Sequence, residues 1–378
     1  MNFRELCSIH ERLQRKSADS LDLDAQIIAL LNSDFGELTG WLDTRIDTVS
    51  FYNKTSIDAV YAVDQNQNLG VWKEPIFSIL LANQIVRGGI SPDTQILAEA
   101  GGVSLAHCLS KFSETFNGDT VFITSRYYPD NLLNSIVNSN LKILRAPPFS
   151  GLSIEEEFYK YLVEFVKTQR HTGKIASTWH VKWSDLAGKI LAQEMIKRHK
   201  EYLEKLDYLV LSIGSGASLS WACELKKYFS NIKIIIAEPD TANLIKNKTV
   251  HPMKELESSR HVRKYNDYFI SKNERIIHSV FGPHYEKLNG RISSEALQNI
   301  DQVITYRRDN WMYASEQMRD IGFSVGNSTA GCFAVAQSIR QSAPNRKVLS
   351  VAFEPLKKYA LEKNTENHSS THPFKIAI

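Results

Sequence analysis

A loop rich in glycine and serine is the segment of this chain whose residue types best suit the binding of an anion. It spans residues 212–220 and has the sequence SIGSGASLS. The run before it is apolar and β-prone, and the residues after it have helical spacing, so the pattern predicts a strand, a turn and a helix. Glycine lets the backbone approach a ligand closely, and the amides at the start of a helix favour negative charge. We therefore predict a phosphate site at Gly214, Ser215, Gly216, Ala217 and Ser218; the alternative is a tight turn that binds nothing.

A lysine that could do covalent chemistry lies upstream, in the segment NLGVWKEP of residues 68–75. This residue, Lys73, comes just before a helical pattern that begins at Pro75. A lysine amine can condense with an aldehyde, and once released it can act as a general base. For any one lysine, exposure before a helix is the commoner explanation. The assignment of Lys73 therefore depends on the other motifs of the chain.

Strand and helix patterns alternate from about residue 57 onward, which indicates parallel sheets covered by helices. Predicted strands are residues 59–63, 95–98, 120–124, 142–144, 208–212, 232–237, 302–305 and 348–352. The segment PPFSG at residues 147–151 separates two such series, so we predict two α/β domains with a cleft between them. The predicted regions are residues 1–56, an N-terminal helical extension and the start of the larger domain; residues 57–180, a smaller α/β domain with the lysine; and residues 181–378, a larger α/β domain with the phosphate loop. The first 45 or so residues are expected to pack on the body of the protein or on a second subunit.

Several motifs occur in a fixed order along the chain. They are the lysine segment with Asn68 and Lys73, EAGGVS at residues 99–104, the phosphate loop, AEP at residues 237–239, GPH at residues 282–284, GFSVGNSTAG at residues 322–331 and FEPLKKY at residues 353–359. The series resembles the fold type II pyridoxal-phosphate enzymes, the tryptophan synthase β and cysteine synthase group, and is collinear from about residue 57 to residue 359. The resemblance implies two open, mostly parallel α/β domains with the cofactor in the cleft between them.

The resemblance also implies roles for individual residues. Lys73 would form the Schiff base with pyridoxal 5'-phosphate, and the phosphate loop would hold the phosphate group. Gly101, Gly102 and Ser104 take the place of the family's loop for the substrate carboxylate. A helix is predicted to start there, so backbone amides and the helix dipole would add to the attraction. An ordinary N-cap is an equally good explanation for Ser104.

Two positions depart from the family's pattern. Val103 stands where the family has an asparagine that contacts the ring hydroxyl of the cofactor. Pro355 stands where it has a serine that faces the ring nitrogen, and the proline side chain neither donates nor accepts a hydrogen bond. The ring nitrogen is therefore expected to stay unprotonated, which would suit β-elimination or β-replacement over racemisation or transamination.

The resemblance implies a lyase or transferase that acts on serine, an O-activated serine, cysteine or a related amino acid through an aminoacrylate, in a specialised branch of amino-acid metabolism. The departures at Val103 and Pro355 leave an alternative, a catalytically altered or inactive homologue that serves as a binding or regulatory protein. A nucleotide-binding oxidoreductase has less support, because Leu219 occupies the place of the third glycine in the dinucleotide fingerprint.

The composition limits the classes of ligand and partner that the protein is expected to bind. The 378 residues carry a net charge of +3 from 45 basic and 42 acidic residues, without a block of like charge. This pattern favours a small-molecule substrate over nucleic acid or a membrane surface. The four cysteines are far apart, so we expect buried reduced thiols, no metal site and a cytoplasmic protein. The family resemblance implies a homodimer.

Overall fold

The structure is a computed structural model that describes residues 3–16, 22–39, 41, 44–51, 55–63, 70–116, 119–126, 133, 136, 140–149, 152, 154–169, 174–240, 269–270, 276–277 and 292–355. Asn68, the GPH motif of residues 282–284 and residues 356–359 of the last motif lie outside the described residues. The contacts of the described residues divide them into two compact units. The N-terminal unit lies within Met1–Asp43 and Ala62–Leu191, and the C-terminal unit within Thr44–Tyr61 and Ala192–Ile378.

Helices and strands alternate along most of the described chain. In order they are α1 (Phe3–Lys16), α2 (Leu23–Leu31), α3 (Asp34–Thr39), β1 (Thr44–Ser50), β2 (Ser56–Ala62), α4 (Lys73–Val86), β3 (Ile96–Ala100), α5 (Val103–Phe116), β4 (Asp119–Thr124), β5 (Leu141–Arg145), α6 (Ile154–Gln169), β6 (Ile175–Ala176), α7 (Ser184–Leu203), β7 (Tyr208–Leu211), α8 (Ala217–Tyr228), β8 (Lys233–Pro239), β9 (Phe269–Ile270), β10 (Ile276–Ile277), α9 (Ser294–Gln298), β11 (Gln302–Tyr306), α10 (Arg308–Asp320), α11 (Asn327–Ser342) and β12 (Val348–Ala352).

The N-terminal unit contains a four-stranded sheet in the order β5-β4-β3-β6. Its neighbouring strands are parallel, with Ile96 opposite Asp119 and Thr120 opposite Leu141. Strands β3 and β4 are almost wholly buried, which agrees with a parallel sheet covered on both faces. The carboxyl end of β3 leads directly into α5, so the EAGGVS motif lies where the carboxyl ends of the parallel strands meet.

The C-terminal unit contains a six-stranded sheet in the order β1-β2-β12-β7-β8-β11. The pairs β2/β12, β12/β7, β7/β8 and β8/β11 are all parallel. The division of the chain at residues 56 and 180 stays a prediction. Strand β2, which the sequence assigned to the smaller domain, pairs with β12, and its last four residues, 59–62, form a continuous buried run beside that strand.

The N-terminal helices pack on the body of their own unit. Helix α2 lies against α4. The Phe3 ring lies 3.6 Å from that of Phe116 and 6.1 Å from that of Phe112, measured between ring centroids. The Ser78 hydroxyl of α4 donates to the carbonyl of Thr39 at 2.8 Å. Apolar residues of α1 and α2 therefore pack on α4 and α5 of the same unit, and packing of this segment on a second subunit stays a prediction.

Helix α7 has a kink at His199, where the backbone adopts φ −125° and ψ 23°. The half-buried ring places Nε2 at 3.3 Å from the carbonyl oxygen of Thr44. Burial lowers the pKa of His199; the Thr44 contact opposes this change and the charge of Arg198 adds to it. The folded state therefore favours the neutral ring.

This lowered pKa predicts a loss of stability in mild acid. Below the ordinary histidine pKa of about 6.5 the unfolded chain binds more protons than the folded chain, so the free energy of unfolding falls as the pH decreases. Between about pH 7.5 and about pH 5.5 we expect a steeper fall in the wild type than in His199→Gln, measured by urea unfolding. Equal slopes for the two proteins would contradict the assignment to His199.

Candidate functional site

The predicted phosphate loop connects β7 to α8 in the C-terminal unit. The Ser212 hydroxyl donates to the carbonyl of Ala237 at 2.9 Å and so ties the start of the loop to the end of β8. Gly216 is the N-cap of α8, and its carbonyl accepts the first helical bond from Ser220 N at 2.9 Å. The amides of the first turn of an α-helix have no acceptor within the helix. The strand, turn and helix predicted from the sequence are therefore present, with a helix start that can bind an anion.

Backbone conformation explains the second glycine of this loop. Gly216 has φ +100°, in the left-handed region where a side chain is strained. A Cβ atom there would lie 3.4 Å from Cγ1 of Ile292, which is an ordinary contact. Conformation rather than crowding thus requires glycine at Gly216. A loop of small residues at a helix N-terminus fits a phosphate group.

Lys73 is the first residue of α4 in the N-terminal unit, two residues before the predicted helix start. The helix can begin there because Pro75 falls in the first turn, where a missing N–H costs no helical bond. The Lys73 side chain is half-buried, between the buried side chains of Trp72 and Glu74. A half-buried amine at the start of a well-packed helix is compatible with covalent attachment of an aldehyde.

An ion pair fixes the helix start that carries Lys73. Glu74 is 5% exposed, and its Oε2 atom accepts a bond from Nζ of Lys111 at 2.8 Å. Its Oε1 atom lies 3.9 Å from Nε2 of His107. Both partners are on α5, so the carboxylate connects the first turn of α4 to that helix. Loss of one partner of such a buried pair is destabilising, because the remaining charge stays buried.

The predicted carboxylate loop follows β3. Gly101 N donates to the carbonyl of Ile123 at 3.1 Å, and the hydroxyl of Thr124 donates to the carbonyl of Gly101 at 3.0 Å. Helix α5 begins at Val103, and the carbonyl of Gly102 accepts its first bonds. The amides of the first turn of α5, together with the half-buried Ser104 hydroxyl, are suitable donors for a carboxylate.

The two departures from the family's pattern lie on well-defined backbone. Val103 is buried at the start of α5. Pro355 is half-buried and forms an isolated antiparallel bridge with Val325, and Gly326 N donates to the carbonyl of Glu354 at 3.0 Å. Residues 325–326 immediately precede α11, and they run beside residues 354–355.

The start of α11 has buried polar side chains to which the sequence analysis gave no role. Asn327, Ser328 and Thr329 are all buried, and the hydroxyl of Thr329 accepts a bond from Phe353 N at 2.9 Å. The signal that could have identified them is a run of short polar residues directly before an apolar helical pattern. Buried polar groups at a helix start beside Pro355 are candidate contacts for a bound ligand.

Close packing brings α11 against β11 near this position. A Cβ atom at Gly331 would lie 2.3 Å from Cζ of Tyr306, so only glycine leaves room for the tyrosine ring.

Burial raises the pKa of the neighbouring Cys332 thiol far above its ordinary value. Cys332 is therefore a thiol rather than a thiolate at neutral pH and serves packing rather than nucleophilic chemistry.

Each unit holds its own part of the predicted site. Lys73 and the Gly101–Ser104 loop belong to the N-terminal unit, and the phosphate loop and Pro355 belong to the C-terminal unit. The roles assigned to these residues stay predictions.

Among the residues that the structure describes, no helix combines the length and the apolar character that a membrane span needs.

Comparison with known proteins gives no matching family model and no matching curated protein. Solved structures do match, over almost the whole chain. A hydrogen sulfide-producing enzyme in complex with an α-aminoacrylate intermediate has 16% identity and a TM-score of 0.67, covering 92% of this chain and 95% of its own. This chain has a cysteine synthase-like fold. O-ureido-L-serine synthase has 15% identity and a TM-score of 0.66, with 89% and 97% of the two chains covered. The O-acetylserine-dependent cystathionine β-synthase of Helicobacter pylori has 16% identity and a TM-score of 0.61, with 86% and 97% covered. The predicted fold class, mostly parallel α/β of the fold type II kind, is confirmed.

Proposed function

We propose that this protein is a pyridoxal-phosphate-dependent lyase or transferase that catalyses β-elimination or β-replacement on serine, an O-activated serine, cysteine or a related amino acid. One observation carries the proposal. In a chain with a cysteine synthase-like fold, a half-buried lysine at the first residue of α4 occurs together with a left-handed glycine at the N-terminus of α8. The lysine amine can bind an aldehyde, and the backbone amides at the start of α8 can bind a phosphate. Pyridoxal phosphate carries both of these groups.

Separate groups of residues would bind the cofactor, bind the substrate and transfer the proton. When bound, pyridoxal phosphate would supply an aldehyde and a ring that accepts the electrons of a carbanion. The Lys73 amine would hold the aldehyde and, once released, take the proton from the substrate's Cα atom. Residues 214–218 would donate backbone N–H bonds to the phosphate. Gly101, Gly102 and Ser104 would hold the substrate carboxylate and so present the Cα–H bond to Lys73.

The departures at Val103 and Pro355 fit the proposed reaction type. Neither side chain can donate or accept a hydrogen bond, so Pro355 would not hold a proton on the ring nitrogen and Val103 would not bond to the ring hydroxyl. A ring that withdraws electrons less strongly suits loss of a β-leaving group better than racemisation or transamination. This preference is part of the proposal.

Other features of the chain support the proposed setting. Its four cysteines are free and buried, as in proteins of reducing compartments, so we propose a cytoplasmic location. We also propose a homodimer, on the strength of the family resemblance. The structurally similar O-ureido-L-serine synthase and O-acetylserine-dependent cystathionine β-synthase support an amino-acid substrate with an activated serine side chain.

Spectroscopy and product analysis test the proposal. The purified protein is titrated with pyridoxal phosphate, then exposed to L-serine, O-acetyl-L-serine and L-cysteine while the visible spectrum and the release of pyruvate, ammonia or sulfide are followed. We expect a bound-cofactor band, a spectral change with at least one amino acid, and product release. Cofactor binding without a response to any amino acid would support a binding or regulatory protein instead. Absence of cofactor binding would overturn the proposal.

A further inference from the structure

A fully buried carboxylate lies directly before the predicted carboxylate loop. Glu99, in β3, is 0% exposed. Its Oε1 atom accepts a bond from Ala100 N at 3.1 Å, and its Oε2 atom accepts one from the Ser177 hydroxyl at 3.3 Å and a shorter one from the Thr178 hydroxyl. A buried charge is stable only when donors of this kind satisfy it.

A buried histidine faces the same carboxylate. His180 is 5% exposed, and its Nδ1 atom lies 3.7 Å from Oε1 of Glu99. Two hydrogen bonds hold the peptide unit between His180 and Val181. The carbonyl of His180 accepts a bond from the Ser184 hydroxyl at 2.7 Å, and the next amide, Val181 N, donates to the Tyr159 hydroxyl at 2.7 Å.

The same imidazole ring lies against the carboxylate loop. A Cβ atom at Gly101 would be 3.3 Å from Cε1 of His180 and 3.0 Å from Cδ2 of Leu105. Only a glycine lets the ring come this close without displacement. His180 therefore lies beside both the buried carboxyl group of Glu99 and the first residue of the loop that we propose for the substrate carboxylate.

The residue before His180 has a strained backbone. Trp179 has φ +52°, a left-handed conformation that is unusual for a bulky side chain. Its amide donates to the Ser177 hydroxyl at 3.0 Å, and that hydroxyl also bonds to Glu99. Backbone strain of this kind persists where the surroundings hold it in place, and it concentrates at ligand-binding sites. The left-handed turn at Trp179 lies directly before His180, whose ring lies against Gly101.

We propose that Glu99 and His180 form a positioning pair that holds residues 101–104 in the conformation that binds the α-carboxylate of an amino-acid substrate. This inference rests on the proposed function and adds a determinant of substrate affinity to it. The pair acts through the loop rather than on the reacting atoms. Its loss should therefore weaken substrate binding more than it slows the chemical step.

Kinetics of His180→Ala test this pair. In the variant reconstituted with pyridoxal phosphate, we expect KM to rise about tenfold while kcat changes by less than about threefold, measured with whichever of L-serine, O-acetyl-L-serine and L-cysteine the wild type converts. His180→Gln, which keeps a donor that can reach Glu99, should restore part of the affinity. His10→Ala is the matched control, because His10 is a half-buried histidine on α1 of the same unit and bonds to Gln26. A fall in kcat at unchanged KM would contradict the proposal.

Hydrogen exchange of the cofactor-free protein separates this inference from the proposed function. We expect the amides of residues 101–106 to exchange about tenfold faster in His180→Ala than in the wild type, with smaller changes in the C-terminal unit. Unchanged exchange would overturn the positioning role, whether or not the protein binds pyridoxal phosphate. Faster exchange in a protein that fails to bind the cofactor would support the link between His180 and the loop while overturning the proposed reaction. Should His180→Ala fail to fold, Glu99→Gln serves for both measurements.

Discussion

Replacing Lys73 with alanine is expected to remove the bound-cofactor absorbance band and to lower kcat/KM for the amino-acid substrate by at least about a thousandfold. The alanine side chain has no amine, so it can neither hold the cofactor aldehyde nor accept the Cα proton. Lys73 begins a helix whose next residue is anchored by Lys111, so the helix should survive the change. Visible absorbance and steady-state kinetics measure the two effects.

The matched variant is Lys73→Arg. Arginine keeps the positive charge and most of the length of the side chain, but at neutral pH its guanidinium group is neither a nucleophile nor a base. We expect it to be as inactive as Lys73→Ala while unfolding at nearly the wild-type temperature. An absorbance band that survives in either variant would show that another group holds the cofactor.

Replacing Gly216 with aspartate is expected to weaken pyridoxal phosphate binding by at least about a hundredfold, because it places a like charge beside the phosphate at the start of α8. Aspartate tolerates the left-handed conformation better than most residues, so repulsion rather than strain should dominate. The dissociation constant follows from titration of the cofactor band. Added salt should reduce the effect only partly, since Gly216 is buried.

Gly322→Asp provides the control for Gly216→Asp. Gly322 is also left-handed, with φ +80°, and a Cβ atom there would meet nothing within 4 Å. It is exposed and belongs to the same C-terminal unit. The control therefore introduces the same charge and comparable strain away from the phosphate loop. Equal losses of cofactor affinity in the two variants would contradict a phosphate site at Gly216.

The central strands of both sheets could be predicted from the sequence because they are short apolar runs buried on both faces. The run at residues 120–124 became β4, and residues 208–212 and 232–237 became β7 and β8 within one or two residues. Strand β1 was missed because it is an edge strand with mostly polar, partly exposed side chains. Strand β6 has two residues, which is too short for any periodicity.

The parts of the candidate site that are local in sequence were predictable, and the parts built by long-range packing were not. The phosphate loop and the lysine segment carry their signals within about ten residues, since a helix start is specified by its nearest neighbours. Glu99 and His180 meet only because β3 pairs with β6, with Leu97 opposite Ala176. The one local hint was a carboxylate inside the apolar strand ILAEA, because a buried charge needs partners.

Reductive trapping tests whether the Lys73 amine binds the aldehyde of pyridoxal phosphate covalently. The protein is incubated with the cofactor, reduced with borohydride, digested and analysed by peptide mass spectrometry. We predict one pyridoxyl phosphate adduct, on the peptide that contains Lys73, and its absence from Lys73→Arg. An adduct confined to a different lysine, or no adduct at any residue, would contradict attachment of the cofactor to Lys73.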